Sequence, residues 1–421
     1  MNQSKRKKAP IEERIKYRVV VIYGLSLLLF GLFKADFGQI INGLHQIIIQ
    51  PDLLLSDYFG VGGVGATFVN SGILTLVVVY ILSKLDIPIT GPSLAVIWTV
   101  SGFAFFGKNI FNVWFILLGV YLYSIYQKDN FSKYIYVGLF ATSLSPVVTV
   151  FMFGSDLPPL LGIGLGAGIG LLIGFLIPPL GTYMLRVHQG FNIYNIGLTA
   201  GIVGTVFVSI FKSYGLEIAD NFVWTTGNSP SVDIYLYSLF TILIVTGYLL
   251  DKKAFKKLRE IYTFSGRLVT DFVTRKGFGP TLVNMGINGI LATSYILLVG
   301  GPINGPIIGG IFTIVGFSGF GKHLKNIAPI VLGVCIAGLT KTWTLNSPAI
   351  LLAALFSTTL APIAGKFGWK YGILAGFIHS SVVLNVGTLH GGLNLYNNGF
   401  AGGIVAMFLI PIIEAFKEED F

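Results

Sequence analysis

Two short elements of this chain bring amides and a phenol together in apolar surroundings: His188-Gln-Gly-Phe-Asn-Ile-Tyr-Asn-Ile-Gly197 and His390-Gly-Gly-Leu-Asn-Leu-Tyr-Asn-Asn-Gly399. Asn192, Tyr194 and Asn195 open one apolar run, and Asn394, Tyr396 and Asn397 open another. An unpaired amide in hydrocarbon costs several kcal/mol, so these groups need another helix, water or a polar solute. Asparagine both donates and accepts, which suits a neutral polar ligand. Exposed N–H groups at a helix start suit an oxygen or an anion. The competing reading is capping and interhelical hydrogen bonding at the end of a span.

Other pairs follow the same pattern. Asn70 and Asn284 each lie deep in an apolar run beside a glycine, as solute contacts or as interhelical glue. Gly91-Pro92 and Gly305-Pro306 interrupt matching apolar segments, where freed backbone groups mark a transporter site or a plain loop. Lys108 and Lys322, each after Phe-Gly, are expected to snorkel to an interface, attraction of an anion being the lesser reading. His188 and His390 read as hydrogen-bonding end residues rather than proton relays. Asp57 and Asp271 read as caps of the segments that follow them. No carboxylate lies in the middle of an apolar run, Glu414 being the nearest exception, so no acidic ion-coupling residue is expected there. There is no phosphate-cradling loop, zinc-ligand spacing or nucleophile elbow. No catalytic residue, metal or cofactor is therefore expected, and the chain reads as a non-enzyme. The single cysteine, Cys335, excludes an intrachain disulfide.

The elements that must position these groups occur twice. Gly65-Ala-Thr-Phe-Val-Asn-Ser-Gly-Ile73 returns as Gly279-Pro-Thr-Leu-Val-Asn-Met-Gly-Ile287, and Ile89-Thr-Gly-Pro92 as Ile303-Asn-Gly-Pro306. Gly102-Phe-Ala-Phe-Phe-Gly-Lys108 returns as Gly316-Phe-Ser-Gly-Phe-Gly-Lys322. The chain divides into a basic arm (1–16), a membrane repeat (17–213), an acidic loop (214–230), a second repeat (231–417) and a tail (418–421). Fused, related membrane halves are the usual plan of solute carriers and channels, with a site between the halves.

Of the 421 residues 53% are hydrophobic and 11% charged, against about 25% charged in a soluble domain. Apolar runs recur at the length of bilayer-crossing helices, which predicts an all-α polytopic membrane protein. A β-barrel is excluded, because its strands would be short and alternating. The predicted segments of the first copy are 19–33, 61–82, 87–106, 111–126, 134–153, 160–180 and 191–211. Those of the second are 234–250, 278–299, 303–320, 327–343, 349–364, 372–386 and 393–416. Stretches 38–58 and 251–276 read as interfacial.

The net charge of +10 gathers in Lys5-Arg-Lys-Lys8 with Arg14, Lys16 and Arg18, and in a middle cluster from Lys252 to Lys276. Basic clusters beside spans mark the cytoplasmic side and attract anionic lipid headgroups; nucleic acid is not an expected partner. The first apolar run lacks a small-residue cleavage site and is kept as a span. Both termini and the middle connection then face the cytoplasm of a bacterial inner membrane, and Glu217, Asp220 and Asp233 face outward. Seven crossings per copy make the repeats inverted, so paired motifs should meet near the midplane. The two Gly-Pro segments decide this: if both were re-entrant, the repeats would be parallel.

On these motifs the chain resembles a bacterial family of two-repeat polytopic membrane proteins of unknown function, over nearly its whole length. Phe68-Val-Asn-Ser-Gly72, Tyr194-Asn-Ile-Gly-Leu198 and Tyr396-Asn-Asn-Gly-Phe400 are fainter likenesses to urea-transporter motifs. No proline follows Asn70 or Asn284, and that family has five spans per half. The seven-plus-seven count resembles the nucleobase and anion carrier fold, whose broken third and tenth segments would correspond to those at Gly91-Pro92 and Gly305-Pro306. The substrate-clamping carboxylate of that family is missing.

The expected function is passage of a small polar, uncharged solute between two inverted repeats, as carrier or channel. Asn70, Asn284, Asn195 and Asn397 would bond the solute, Tyr194 and Tyr396 would shape the passage, and the segments at Gly91 and Gly305 would offer backbone groups. A homo-oligomer is compatible with this. The alternative is a membrane scaffold or sensor working through its basic connection. An intramembrane enzyme would have only His188 and His390 to build on.

Overall fold

A computed structural model describes residues 13–218 and 221–418. The basic cluster at Lys5–Lys8, Asp220 and the tail beyond residue 418 lie outside the described residues. The first repeat comprises α1 (Glu13–Lys34), α2 (Phe37–Ile49), α3 (Tyr58–Lys84), α4 (Gly91–Phe103), α5 (Val113–Tyr126), α6 (Ile135–Ala141), α7 (Pro146–Phe153), α8 (Pro159–Val187) and α9 (Asn195–Ser213). The second comprises α10 (Pro230–Leu250), α11 (Ala254–Ile261), α12 (Phe272–Lys276), α13 (Phe278–Leu298), α14 (Gly305–Phe317), α15 (Leu324–Thr340), α16 (Pro348–Phe356), α17 (Ala361–Phe367), α18 (Trp369–Val386) and α19 (Asn397–Glu418).

Among the described residues nine helices are long and apolar enough to cross a membrane. One further crossing, α6 with α7, is bent by 42°, and α4, α5, α14 and α15 are shorter apolar helices. These are the fourteen segments that the apolar runs predict. The stretch after α1 is the amphipathic α2, which buries one stripe, Ile40, Gly43 and Ile47. The stretch after α10 holds α11 and α12, tied down by Lys257 to Asp251 at 2.6 Å and Lys276 to Glu260 at 2.5 Å. The bond from Lys276 holds the Glu260 carboxyl below its usual range.

The two Gly-Pro segments are short, matched half-helices. Each is a helix of 13 residues, about 20 Å long against a hydrocarbon core of about 30 Å. Gly91 packs against Gly319 and Asp271, Gly102 against Gly309, and Gly305 against Phe105 and Asp57. Helices α4 and α14 therefore run antiparallel along their whole length, the start of each at the end of the other. Twin helices running antiparallel make the repeats inverted, the arrangement expected from an odd number of crossings per repeat.

The half-helix starts are capped across the repeat boundary. Asp271 Oδ1 accepts from Gly91 N at 3.0 Å, and Asp57 Oδ1 accepts from Gly305 N at 3.0 Å. Each aspartate also caps its own following segment, through Phe59 N and Thr274 N. The local caps are those expected from sequence, and the cross-repeat bonds are additional. Glu13, which accepts from Ile89 N, places the start of α1 on the same face as Asp271 and the basic connection. The α9–α10 connection lies on the opposite face, where Asn221 Nδ2 donates to Pro51 O at 2.9 Å. The largest apolar cluster, around Trp98, Phe103, Phe312 and Phe317, joins α4 and α14 to helices of both repeats.

Candidate functional site

Helices α9 and α19 start at one point in the middle of the molecule. The extended chain before α9 bonds to the second repeat, Ile193 N donating to Thr359 O at 3.1 Å. Its counterpart before α19 bonds to the first repeat, Leu395 N donating to Ser143 O at 3.0 Å. Asn192 Nδ2 donates to Gly399 O at 2.9 Å, and Asn394 Nδ2 to Gly197 O at 3.2 Å. Gly197 and Gly399 touch: a Cβ on either would lie 2.9 Å from the Cα of the other. The rings of Tyr194 and Tyr396 lie 5.0 Å apart. Every one of these contacts is matched by its twin, so the pseudo-two-fold axis passes between the two Asn-x-Tyr-Asn elements.

The local sequence explains the shape. Asn192 Oδ1 accepts from Tyr194 N and Asn394 Oδ1 from Tyr396 N, closing Asx turns that launch each helix. His188 Nδ1 faces Asn192 N at 3.3 Å while its Nε2 meets Asn195 Oδ1 at 2.9 Å. His390 repeats this with Asn394 N and with Asn397 Oδ1 at 2.9 Å. The bonding assigns the neutral tautomer with the proton on Nε2. Asn195 Nδ2 donates to Gly181 O and Asn397 Nδ2 to Val383 O. Six polar side chains are thus largely consumed in building the crossing.

Asn70 and Asn284 position a different pair of groups. Asn70 Nδ2 donates to Ala104 O at 2.8 Å and Lys108 O at 3.0 Å, and its Oδ1 accepts from Ile110 N at 3.1 Å. Asn284 Nδ2 donates to Ser318 O and Lys322 O, both at 2.8 Å. Each amide pins the Phe-Gly-Lys turn after a half-helix. The lysines do not snorkel: Lys108 and Lys322 are both 0% exposed. Asn70 and Asn284, pinned this way, hold the lysine backbone inward, which corrects the expected interfacial placement. Lys322 Nζ donates to the Tyr194 hydroxyl and, at 2.7 Å, to Thr358 Oγ1; it lies 4.4 Å from the Tyr194 ring centre. Lys108 Nζ has no hydrogen-bond partner among the described residues and lies 5.0 Å from the Phe103 ring centre. The Tyr396 hydroxyl is turned to Thr99 Oγ1 at 3.5 Å. The salt bridges among the described residues join other pairs, and none involves either lysine.

Two cavities approach the crossing from opposite faces. One, about 170 Å³, is lined by Tyr194, Asn195, Gly197, Tyr396, Leu268 and Val269. The other, about 730 Å³, is lined by Asn397, Leu54, Leu55, Gly387, Lys212 and Glu217. Asn195 with Leu268-Val269 corresponds to Asn397 with Leu54-Leu55, so the cavities are twins. They differ in width: the one beside the α9–α10 connection is the wider and the more polar, with Lys212, Glu217 and Asn221 in its lining, and its twin is narrow and apolar.

The structure therefore gathers the Asn-x-Tyr-Asn residues at the centre but not the Gly-Pro pairs. Gly91-Pro92 and Gly305-Pro306 lie at opposite faces, because antiparallel packing of α4 and α14 separates the two starts. The expectation that they meet at the midplane is corrected. Sequence reasoning missed the buried hydroxyls of Thr142-Ser143 and Thr358-Thr359, which sit at 3-10 breaks between α6 and α7 and between α16 and α17. The signal was present as polar residues before Pro146 and Pro362 in otherwise apolar runs. It also missed Asp52, fully buried between the amphipathic α2 and α3, whose Oδ2 accepts from Asn109, Asn112 and Thr149 at 3.1–3.3 Å.

A protein-family model described as "Protein of unknown function (DUF1576)" matches residues 37–213 and 250–415. No curated protein and no solved structure matches.

Proposed function

Because the chain belongs to the DUF1576 family of unknown function, we propose a function from its geometry: transport of a small polar solute between the two inverted repeats. The observation that carries this is the pair of related cavities beside the central crossing, one lined by Tyr194 and Tyr396 and the other, on the opposite face, by Asn397. A passage with one wide and one narrow mouth, closed by side chains on a pseudo-two-fold axis, is what alternating access between inverted repeats requires. Exchange of the conformations of the two repeats would widen the narrow mouth and close the wide one. No such use of paired cavities is evident for a scaffold.

In this reading the protein lies in a bacterial cytoplasmic membrane. The basic connection carrying Lys252–Lys276 and the start of α1 face inward, by the positive-inside rule, and lipid headgroups contact that connection. Tyr194 and Tyr396 gate the passage, while the amides around them hold the gate in place rather than carry the solute. The role is transport rather than catalysis, His188 and His390 having both ring nitrogens engaged in the crossing.

Uptake by proteoliposomes of ureas, amides, nucleobases and small anions tests the proposal. Gly197→Leu supplies the control, since a side chain there enters the Gly399 contact at the axis. Flux of at least one solute, blocked in a folded Gly197→Leu protein, supports transport. Absence of flux for every class overturns it.

A further inference from the structure

We propose that the solute bound at the crossing is a small anion, with Lys108 as its counter-charge in this conformation and Lys322 as the twin group; the inference rests on the transport reading for its location. The observation is a pair of matched lysine side chains buried inside the protein, neither of them bonded to an acid among the described residues. Both lysines are wholly buried, and neither takes part in a salt bridge. The buried acids nearest in the fold are Asp52, which accepts from Asn109, Asn112 and Thr149, and Asp57, which accepts from Phe59, Thr225 and Gly305; neither forms an ion pair with Lys108. A buried ammonium is held at a cost of several kcal/mol unless a negative group satisfies it. Duplication of such a group in both repeats is uneconomical as packing and suits a site that is filled part of the time.

The surroundings are those of an anion site. Lysine supplies three donors and no acceptor. Tyr194 and Tyr396 add hydroxyls that can turn to donate, whereas those of Thr358 and Thr142 already donate to Leu355 O and Leu139 O. The aromatic rings of Phe103, Tyr396 and Tyr194 form a continuous wall from Lys108 to Lys322, with centroid separations of 4.7 and 5.0 Å. Such a wall excludes water and strengthens a charge contact. The cavity beside the two tyrosines, about 170 Å³, is lined by Tyr194 and Tyr396 but by neither lysine, so an anion reaches Lys108 only when the ring wall moves. The twins differ in one respect: Lys322 is latched by the Tyr194 hydroxyl and Thr358, whereas Lys108 is unlatched, with Tyr396 turned away to Thr99. Lys108 is therefore the one of the two whose Nζ is left without a bond for an anion to supply. This replaces the uncharged solute expected from sequence.

Thermal unfolding of the purified full-length protein in detergent, titrated with sodium formate, nitrate or sulfate against urea at matched ionic strength, tests the assignment. Proteoliposome flux of the same solutes is measured in parallel. Stabilisation by at least one anion, weakened tenfold or more in midpoint concentration by Lys108→Met and restored by Lys108→Arg, is expected. Tyr396→Phe serves as a second variant that leaves the lysine in place, and it should shift the anion midpoint by less than Lys108→Met does. Stabilisation or flux by urea alone, or anion stabilisation unchanged in a folded Lys108→Met protein, overturns the anion assignment and leaves transport standing. Anion stabilisation that depends on Lys108 but brings no flux keeps the anion site and overturns transport.

Discussion

Replacing Asp57 should show how strongly each repeat depends on the other. Its carboxylate accepts three backbone N–H groups: Phe59 at 3.0 Å in its own repeat, Gly305 at 3.0 Å in the other, and Thr225 at 2.9 Å in the connection between them. Hydrogen bonds to a charged acceptor contribute about 1.5–3 kcal/mol each, and three around one buried group do not add fully. Removing the acceptor also relieves the burial of a charge. The net loss for Asp57→Ala comes to about 3–5 kcal/mol. Asp57→Asn keeps an oxygen for Phe59 and Gly305 and loses only the Thr225 contact, so about 1–2 kcal/mol is expected. Asp271 is more open, accepting from Gly91 N, Thr274 N and the exposed Thr274 hydroxyl. Asp271→Ala should therefore cost about 1–2 kcal/mol, near the loss of an ordinary cap. Unfolding in mixed micelles by titrated denaturing detergent gives the three values. Equal losses for Asp57→Ala and Asp271→Ala, or an Asp57→Asn as damaging as Asp57→Ala, would refute the cross-repeat cap.

Asn70→Ala removes three bonds and Asn284→Ala two; the same unfolding assay should rank Asn70→Ala as the costlier, by about 1 kcal/mol. Tyr194→Phe breaks the latch on Lys322, whereas Tyr396→Phe loses only a 3.5 Å contact with Thr99. The Tyr194 variant should be the less stable of the two, and equal melting temperatures would count against the latch. Asp52→Ala strands the Asn109, Asn112 and Thr149 donors and should cost about 2–4 kcal/mol by equilibrium unfolding; a neutral effect would mean the cluster is not formed in the membrane. Gly197→Ala and Gly399→Ala each place a Cβ 2.9 Å from the opposing backbone, a strain of about 1–3 kcal/mol. Because both enter one contact, the double variant should lose less than the sum of the singles.

Periodicity and run length were enough to foresee fourteen segments, because hydrocarbon imposes a minimum length and an internal hydrogen-bond rule that composition obeys. The duplication made the inverted arrangement legible, since an odd number of crossings follows from counting. Burial of Lys108 and Lys322 was not legible. Both close a Phe-Gly turn at the end of an apolar run, where lysine ordinarily reaches for the surface. Only the amides of Asn70 and Asn284, distant in sequence, bend that turn inward. The roles of Gly91-Pro92 and Gly305-Pro306 were misplaced for a related reason: matched motifs meet at the axis only if they lie midway along their crossing, and these lie at its start. Asn192, Tyr194, Asn394 and Tyr396 were found because the same amides and phenol recur at the start of an apolar run in both copies; that these starts meet at the centre of the molecule shows only in the fold. Asp52 went unseen because it follows an amphipathic stretch, and what buries it is the fold of two later segments.

The inversion of the repeats underlies all of this, and twin positions test it most directly. Leu54 and Leu268 line the two cavities at matching places in the two repeats. In a Cys335→Ser background, Leu54→Cys and Leu268→Cys should react with a membrane-impermeant maleimide from opposite sides of sealed vesicles. Labelling of both from one side would contradict the inverted arrangement, and with it the central passage.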